Sequence, residues 1–75
     1  YNTGDPDKAI GYFNSALKLD PKNSQALFYR GLCYRTLGNA EASVEDLSSL
    51  LSQKPNNESA LLNRGMSYMK LSKYE

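Results

Sequence analysis

Few residues of this 75-residue chain have the types and spacing that catalysis or metal binding requires. The chain contains no histidine, which excludes imidazole general bases, histidine-dependent triads and zinc sites with imidazole ligands. Its one cysteine, Cys33, has no histidine to activate it, and we predict a small buried core residue rather than a reactive thiol. No glycine-rich phosphate-binding loop is present. We therefore predict that the chain is not an enzyme and has no catalytic residue, metal site or cofactor.

The spacing of the carboxylates also favours neither catalysis nor metal binding. Asp5 has the position of a helix N-cap, and Asp7 lies in a first turn, where negative charge stabilises the helix dipole. Glu41, Glu45 and Asp46 form an acidic cluster without the oxygen-ligand spacing of a calcium loop. We predict that these last three carboxylates lie on a solvated surface.

Composition and charge argue against several classes of partner. Lys plus Arg is 9 and Asp plus Glu is 8, so the net charge of +1 gives no electrostatic reason to bind nucleic acid or an anionic membrane. No apolar run approaches the ~18 residues of a membrane span. One cysteine cannot form an internal disulfide, and no signal-peptide pattern follows Tyr1. We expect a segment of a longer protein with an intracellular, cytoplasmic location.

The sequence repeats itself with a period of 34 residues. The matched pairs are Gly4 and Gly38, Pro21 and Pro55, Leu27 and Leu61, Arg30 and Arg64, Gly31 and Gly65, Tyr34 and Tyr68, and Leu37 and Leu71. Such a period predicts a supersecondary unit that stacks on its neighbours. Valine, isoleucine and threonine are scarce, whereas leucine, alanine and serine recur at helical spacings, so the unit is predicted to be helical.

Capping residues and helix breakers predict four helices joined by short connections, which makes neighbouring helices antiparallel. The helices cover residues 6–20, 24–37, 40–54 and 58–71, and residues 73–75 are predicted to open a fifth. The predicted N-caps are Asp5, Asn23 or Ser24, Asn39 and Asn57. Gly38 is predicted to end the second helix in a left-handed conformation. Asn57-Glu58-Ser59 also matches a glycosylation sequon, but we interpret Asn57 as a cap.

Hydrophobic periodicity assigns the faces of these helices. Two polar stripes are predicted to be solvated outer faces: Asp7, Gly11, Asn14 and Lys18, then Glu41, Glu45, Ser48 and Ser52. The second helix is apolar nearly all round and is predicted to pack on the first and third through Ala26, Leu27, Gly31, Cys33, Tyr34 and Leu37. Glycine inside a helix costs roughly 0.8–1.0 kcal/mol relative to alanine. We therefore predict that another backbone approaches closely at Gly31 and at Gly65.

These residues resemble the tetratricopeptide repeat family, whose 34-residue motif runs W-x₂-L-G-x₂-Y, then A-x₃-F, then P. The matching segments are Leu27-x₂-Arg30-Gly31-x₂-Tyr34, Ser43-x₃-Leu47 and Pro55, with Leu61-x₂-Arg64-Gly65-x₂-Tyr68 after them and Ala9-x₃-Phe13 with Pro21 before. The chain departs from the motif in having leucine for tryptophan, arginine for leucine and serine for alanine. These departures affect the assignment to a subfamily rather than the fold.

The resemblance implies an all-α fold of antiparallel helical hairpins stacked as an α-solenoid, a right-handed superhelix. Alignment with the 34-residue motif divides the chain into the second half of one repeat (1–23), a complete repeat (24–57) and the first half of the next (58–75). Members of the family are non-catalytic scaffolds for protein–protein interaction. The first helix of each repeat lines a concave groove that holds a peptide or helix of a partner.

The predicted groove residues lie off the packing faces of the second and fourth helices. They are Gln25, Phe28, Tyr29, Leu32, Arg35 and Thr36, then Ser59, Leu62, Asn63, Met66, Met69 and Lys70. This surface is apolar and aromatic at its centre, with Arg35 and Lys70 at one end. We predict that it binds an extended or helical protein segment with buried hydrophobic anchors.

Other interpretations stay open. The same side chains could pack against neighbouring repeats, the repeats could bind RNA, or the chain could be a targeting or regulatory segment of a larger enzyme or co-chaperone. A clamp for acidic chaperone tails needs Lys and Asn where Phe28 and Leu32 stand, and Asn63 fits one clamp position alone. Uncovered Phe13, Leu61 and Tyr68 predict marginal stability or self-association through the terminal helices.

Overall fold

The computed structural model describes the backbone of residues 5–74 and the side chains of residues 5–72. Within this range the chain forms four helices: α1 (Pro6–Leu19), α2 (Ser24–Thr36), α3 (Ala40–Gln53) and α4 (Glu58–Tyr74). The described residues contain no strand, and the predicted all-α fold is confirmed. Gly4, the predicted counterpart of Gly38, lies outside the described residues.

The C-terminal helix is longer than predicted. α4 continues through Tyr74, so the prediction that it ends near Leu71 and that a fifth helix opens at 73–75 is wrong for the described residues. Gly38 ends α2 with a φ of 86°, a left-handed conformation that non-glycine residues rarely adopt. The residue 34 positions later is Ser72, which provides no such stop. The helix therefore continues.

Side chains cap the helix N-termini where the sequence predicts them. Asp5 accepts hydrogen bonds from two backbone N–H groups of the first turn of α1, at 3.1 and 3.3 Å. Asn23, Asn39 and Asn57 each accept from the N–H three residues later, at 3.1, 3.2 and 2.9 Å. Each such cap stabilises its helix by about 0.5–2 kcal/mol. The bond at Asn57 confirms that the asparagine of the sequon is a cap.

The helices pack in chain order. α2 lies between α1 and α3, α3 lies between α2 and α4, and α2 touches α4 over a few residues. The core consists of Leu27, Leu47, Leu50, Leu51 and Ala60, with Leu17 and Phe28 packed against it. One predicted core residue is misplaced: Leu37 is 44% exposed, because it is the C-cap of α2 and lies where the chain turns away from the core.

Gly31 and Gly65, the glycines of the repeat motif, have different surroundings. A Cβ on Gly31 would lie 3.2 Å from Cγ of Leu47 and 3.5 Å from the backbone oxygen of Ser43, so the predicted close approach is present there. A Cβ on Gly65 would meet nothing within 4 Å among the described residues. The predicted close approach at Gly65 is therefore wrong for this part of the chain.

Candidate functional site

The predicted groove residues of α2 and α4 meet at the C-terminal half of α2. Nη1 of Arg35 lies 3.4 Å from the backbone oxygen of Asn63 and 3.7 Å from Sδ of Met66. Nζ of Lys70 donates to the backbone oxygen of Arg35 at 3.1 Å. Asn63, Met66 and Lys70 lie three and four residues apart, so they share the face of α4 that turns toward α2. The predicted positive end of the groove thus bridges the two helices.

The other end of the predicted groove surface is aromatic. Phe28 and Tyr29 contact edge to face with ring centroids 5.2 Å apart, and Phe13 of α1 stacks on Tyr29 at 6.0 Å. Phe28 is half-buried against the core, whereas Tyr29 is 37% exposed. A depression of about 250 Å³ opens beside these rings, lined by Ser24, Gln25, Phe28, Tyr29, Leu50, Lys54, Asn57 and Ser59. Aromatic rings beside polar side chains can hold an apolar anchor and orient it.

Three of the predicted groove residues of α4 form an apolar stripe. Leu62, Met66 and Met69 recur at helical spacing and are 67%, 44% and 67% exposed. On α2, Leu32 is half-buried and Gln25 is exposed. Side chains of this size are costly to leave in water, and methionine adapts its shape to different partners.

An arginine–aspartate pair that the sequence did not predict joins α2 to α3. Nε of Arg30 donates to Oδ2 of Asp46 at 2.8 Å, and Nη2 donates to Oδ1 at 2.6 Å. Asp46 is 5% exposed, so the prediction that it lies on a solvated surface is wrong, although Glu41 and Glu45 are exposed as predicted. The hydrogen bond with Asp46 raises the pKa of the Arg30 guanidinium and outweighs the opposite effect of burial. A bidentate pair of this kind fixes the orientation of both side chains.

The same arginine also reaches α1. Nη1 of Arg30 donates to Oδ1 of Asn14 at 2.8 Å, so one guanidinium joins three helices. Its Cζ lies 5.7 Å from the ring centroid of Tyr34. The available signal in the sequence was arginine where the motif has leucine, with an acidic residue sixteen positions later on the next helix.

Part of this arrangement recurs one period later. Nη1 of Arg64 donates to Oγ of Ser48 at 3.3 Å, and Cζ of Arg64 lies 5.9 Å from the ring centroid of Tyr68. Asn14 and Ser48 both belong to the stripes that were predicted to be solvated outer faces. Ser48 is half-buried, so the outer-face prediction is wrong at this position because the stripe borders the arginine.

A family model of the tetratricopeptide repeat matches residues 1–58. The chain belongs to the tetratricopeptide repeat family. The family explains the 34-residue equivalence of α1 with α3 and of α2 with α4. Tetratricopeptide repeats generally mediate protein–protein interaction and are typically non-catalytic scaffolds.

This tetratricopeptide repeat chain is also similar to an uncharacterised protein of Methanocaldococcus jannaschii. The two are 43% identical over 44 residues, which is 59% of this chain and 51% of the relative. The match therefore spans about half the length of the curated relative.

The buried polar atoms of the repeat are paired. Oγ of Ser43 and Oγ of Ser67 lie 2.8 Å apart between α3 and α4, and both residues are fully buried. One period earlier the same positions hold Ala9 and Cys33, which are also buried. Cys33 is the predicted core residue, and burial raises the pKa of its thiol.

The described residues were also compared with the requirements for a membrane span and for a metal site. None of their helices combines the length and the apolar composition needed to cross a membrane. Among the same residues, no three cysteine, aspartate or glutamate side chains are grouped in a way that could hold a metal ion.

Proposed function

We propose that this chain is a non-catalytic scaffold that binds a segment of a partner protein in the groove formed by α2 and α4. The observation that carries the proposal is the exposed apolar stripe of Leu62, Met66 and Met69. It lies on the helix whose Asn63, Met66 and Lys70 turn toward α2. Covering this stripe removes apolar surface from water, which is the main favourable term in protein association.

The partner segment that fits this groove has a definite polarity. Its apolar anchors lie on the methionine stripe and against the aromatic depression beside Phe28 and Tyr29. Arg35 and Lys70 place positive charge at the other end, which favours an acidic residue or a carboxylate there. An extended or helical segment of a few turns can span the two ends.

The experiment is a selection of peptides from a random display library against the full chain, followed by affinity measurements on variants. We expect Met66→Ala and Met69→Ala to weaken the selected peptides by about tenfold while the thermal melt is unchanged. Leu61→Ala is the matched control, because Leu61 has the same 44% exposure as Met66 but is the counterpart of the packing residue Leu27.

Two results would contradict the proposal that the partner binds in this groove. One is equal loss of affinity in Leu61→Ala and Met66→Ala. The other is a groove variant that loses folding and binding together, which would mean that the stripe supports the fold instead. Steeply salt-dependent binding to single-stranded RNA, in place of peptide binding, would favour the nucleic-acid alternative.

A further inference from the structure

The depression beside Phe28 and Tyr29 lies where α2 begins, α3 ends and α4 begins. Leu50 of α3, which is 1% exposed, lies at its base, and the two aromatic rings form one wall. Phe13 of α1 stacks on Tyr29 and supports that ring from the other side. All four helices of the described chain thus contribute to the shape of this site.

The size of the depression limits what it can hold. Its volume of about 250 Å³ is below the roughly 300–1,000 Å³ of pockets for small molecules and cofactors. One large side chain of a partner therefore fits it better than a free cofactor does. Aromatic rings pack favourably on other rings, edge to face or offset, so the wall of Phe28 and Tyr29 favours an aromatic side chain over an aliphatic one.

Lysine side chains give the border of the depression a positive charge. Lys54, the C-cap of α3, is exposed and forms no ion pair within residues 5–72. A second, polar depression adjoins the first and shares Ser24, Gln25 and Lys54 with it. It adds Lys22 and Asp20, and the Asp20 carboxylate accepts a hydrogen bond from the backbone N–H of Lys22 at 3.1 Å. Two lysines beside one aspartate favour an acidic residue of the partner at this place.

The repeat itself does not impose this combination of charge and apolar surface. One period before Lys54 the chain has Asp20, which carries the opposite charge. One period before Leu50 it has Ala16, which is too small to form the same base. The aromatic wall, the leucine base and the lysine border therefore distinguish this site from the equivalent place on the preceding repeat.

We propose that the depression selects an aromatic side chain of the partner segment that has an acidic residue next to it in sequence. The inference rests on the proposed function, because the depression is the aromatic end of the same groove. The partner's ring packs on Phe28 and Tyr29 above Leu50. Because the two depressions share a border, the adjacent acidic residue reaches the second depression and pairs with Lys54. The aromatic–acidic pair thus determines which segments the groove accepts.

The test uses the full chain labelled with ¹⁵N and the blocked tripeptide acetyl-Glu-Tyr-Glu-amide, titrated by NMR. A peptide this short covers the depression and leaves the methionine stripe empty. We expect saturable shifts of the backbone amide signals of Gln25, Asn57 and Ser59, which line the depression. Replacing the tyrosine of the peptide by leucine, or both glutamates by glutamine, should weaken binding by about threefold or more.

Two variants of the chain assign these preferences to the site. In Lys54→Gln the glutamate and glutamine peptides should bind equally, whereas the matched control Lys18→Gln should keep the difference. Lys18 is also exposed near the C-terminus of a helix, but it lines neither depression. Ser59→Phe places a ring of the chain itself in the depression and should prevent binding. Ser49→Phe, at an exposed serine outside the depression, should leave binding unchanged.

Several outcomes would overturn the proposal. They are no saturable binding, equal affinity of the tyrosine and leucine peptides, and a preference for glutamate that survives Lys54→Gln. Library peptides that depend on Met66 but contain no aromatic–acidic pair would overturn this inference and leave the proposed function standing. Library peptides that are indifferent to Met66→Ala, together with a tripeptide that binds as expected, would overturn the proposed function alone.

Discussion

α2 and α4 carry the same repeat motif but have different neighbouring helices. Both carry the leucine, arginine, glycine and tyrosine of the repeat at identical spacing. α2 is packed between α1 and α3, whereas α4 has α3 on one side. Each arginine bonds to the preceding helix, but only on α2 does a following helix cover the leucine and the glycine within the described residues. In a stacked repeat, burial is therefore a property of the neighbour more than of the residue.

Equivalent contacts between successive helices are filled by chemically different side chains. Between α3 and α4 the fully buried pair is two hydroxyls, Ser43 and Ser67, bonded at 2.8 Å. The equivalent positions on α1 and α2 are Ala9 and Cys33, which are apolar and also buried. A hydrogen-bonded pair replaced on both sides by apolar groups can be nearly neutral, so one backbone geometry accepts both solutions.

The largest expected difference between the two helices is the cost of removing the equivalent leucines. Leu27→Ala takes a side chain out of the core, and we expect a loss of about 2–5 kcal/mol in the free energy of unfolding. A domain of this size gains about 3–5 kcal/mol from its core, so the variant should be largely unfolded. Leu61→Ala should cost about 1 kcal/mol or less, since Leu61 is already 44% exposed. Urea unfolding followed by circular dichroism measures both, and equal losses would mean that α4 is covered in solution.

The second difference lies in the ion pair that joins α2 to α3 and has no counterpart on α4 within the described residues. Asp46→Asn keeps the shape of the side chain but removes the charge that faces Arg30. We expect a loss of about 1–3 kcal/mol in the free energy of unfolding, because the aspartate side chain is 6% exposed and its hydrogen bonds are charge-assisted.

Glu45→Gln is the matched control for this prediction. It removes the same charge from the adjacent residue of α3, where Glu45 is exposed, and should change stability by less than about 0.5 kcal/mol. Equal effects of Asp46→Asn and Glu45→Gln would show that net charge matters rather than the pair.

The sequence predicted the helices well because their ends depend on local chemistry. Asp5, Asn39 and Asn57 bond to backbone groups a few residues away, so their roles follow from adjacent positions. Asp46 could not be predicted in the same way. Its neighbours Glu41 and Glu45 made it part of an acidic cluster, whereas its partner lies sixteen residues earlier on another helix.

Leu37 and Gly65 show two other limits of periodicity. Leu37 continues the apolar pattern of α2, yet the helix ends before it and the chain turns away. Gly65 repeats Gly31 in sequence, but a repeat does not guarantee that the same neighbour is present. In the candidate groove, the sequence did not predict that Arg35 and Lys70 link α2 to α4, because their partners lie 28 and 35 residues away on another helix.

The smallest expected effect is a gain in stability from glycine-to-alanine substitution on α4 that is absent or reversed on α2. Alanine is better than glycine in a helix interior by roughly 0.8–1.0 kcal/mol. Gly65→Ala adds a methyl group that meets nothing within 4 Å, so the chain should gain about 0.5–1 kcal/mol in the free energy of unfolding. In Gly31→Ala the methyl group would lie 3.2 Å from Cγ of Leu47, which is fully buried and has little room to move. That contact should cancel the propensity gain or exceed it. Parallel urea titrations of the two variants measure the difference. Stabilisation of both by the same amount would mean that α3 shifts to accommodate the methyl group at Gly31. The packing around α2 and α4 would then differ less than the exposures of their residues indicate.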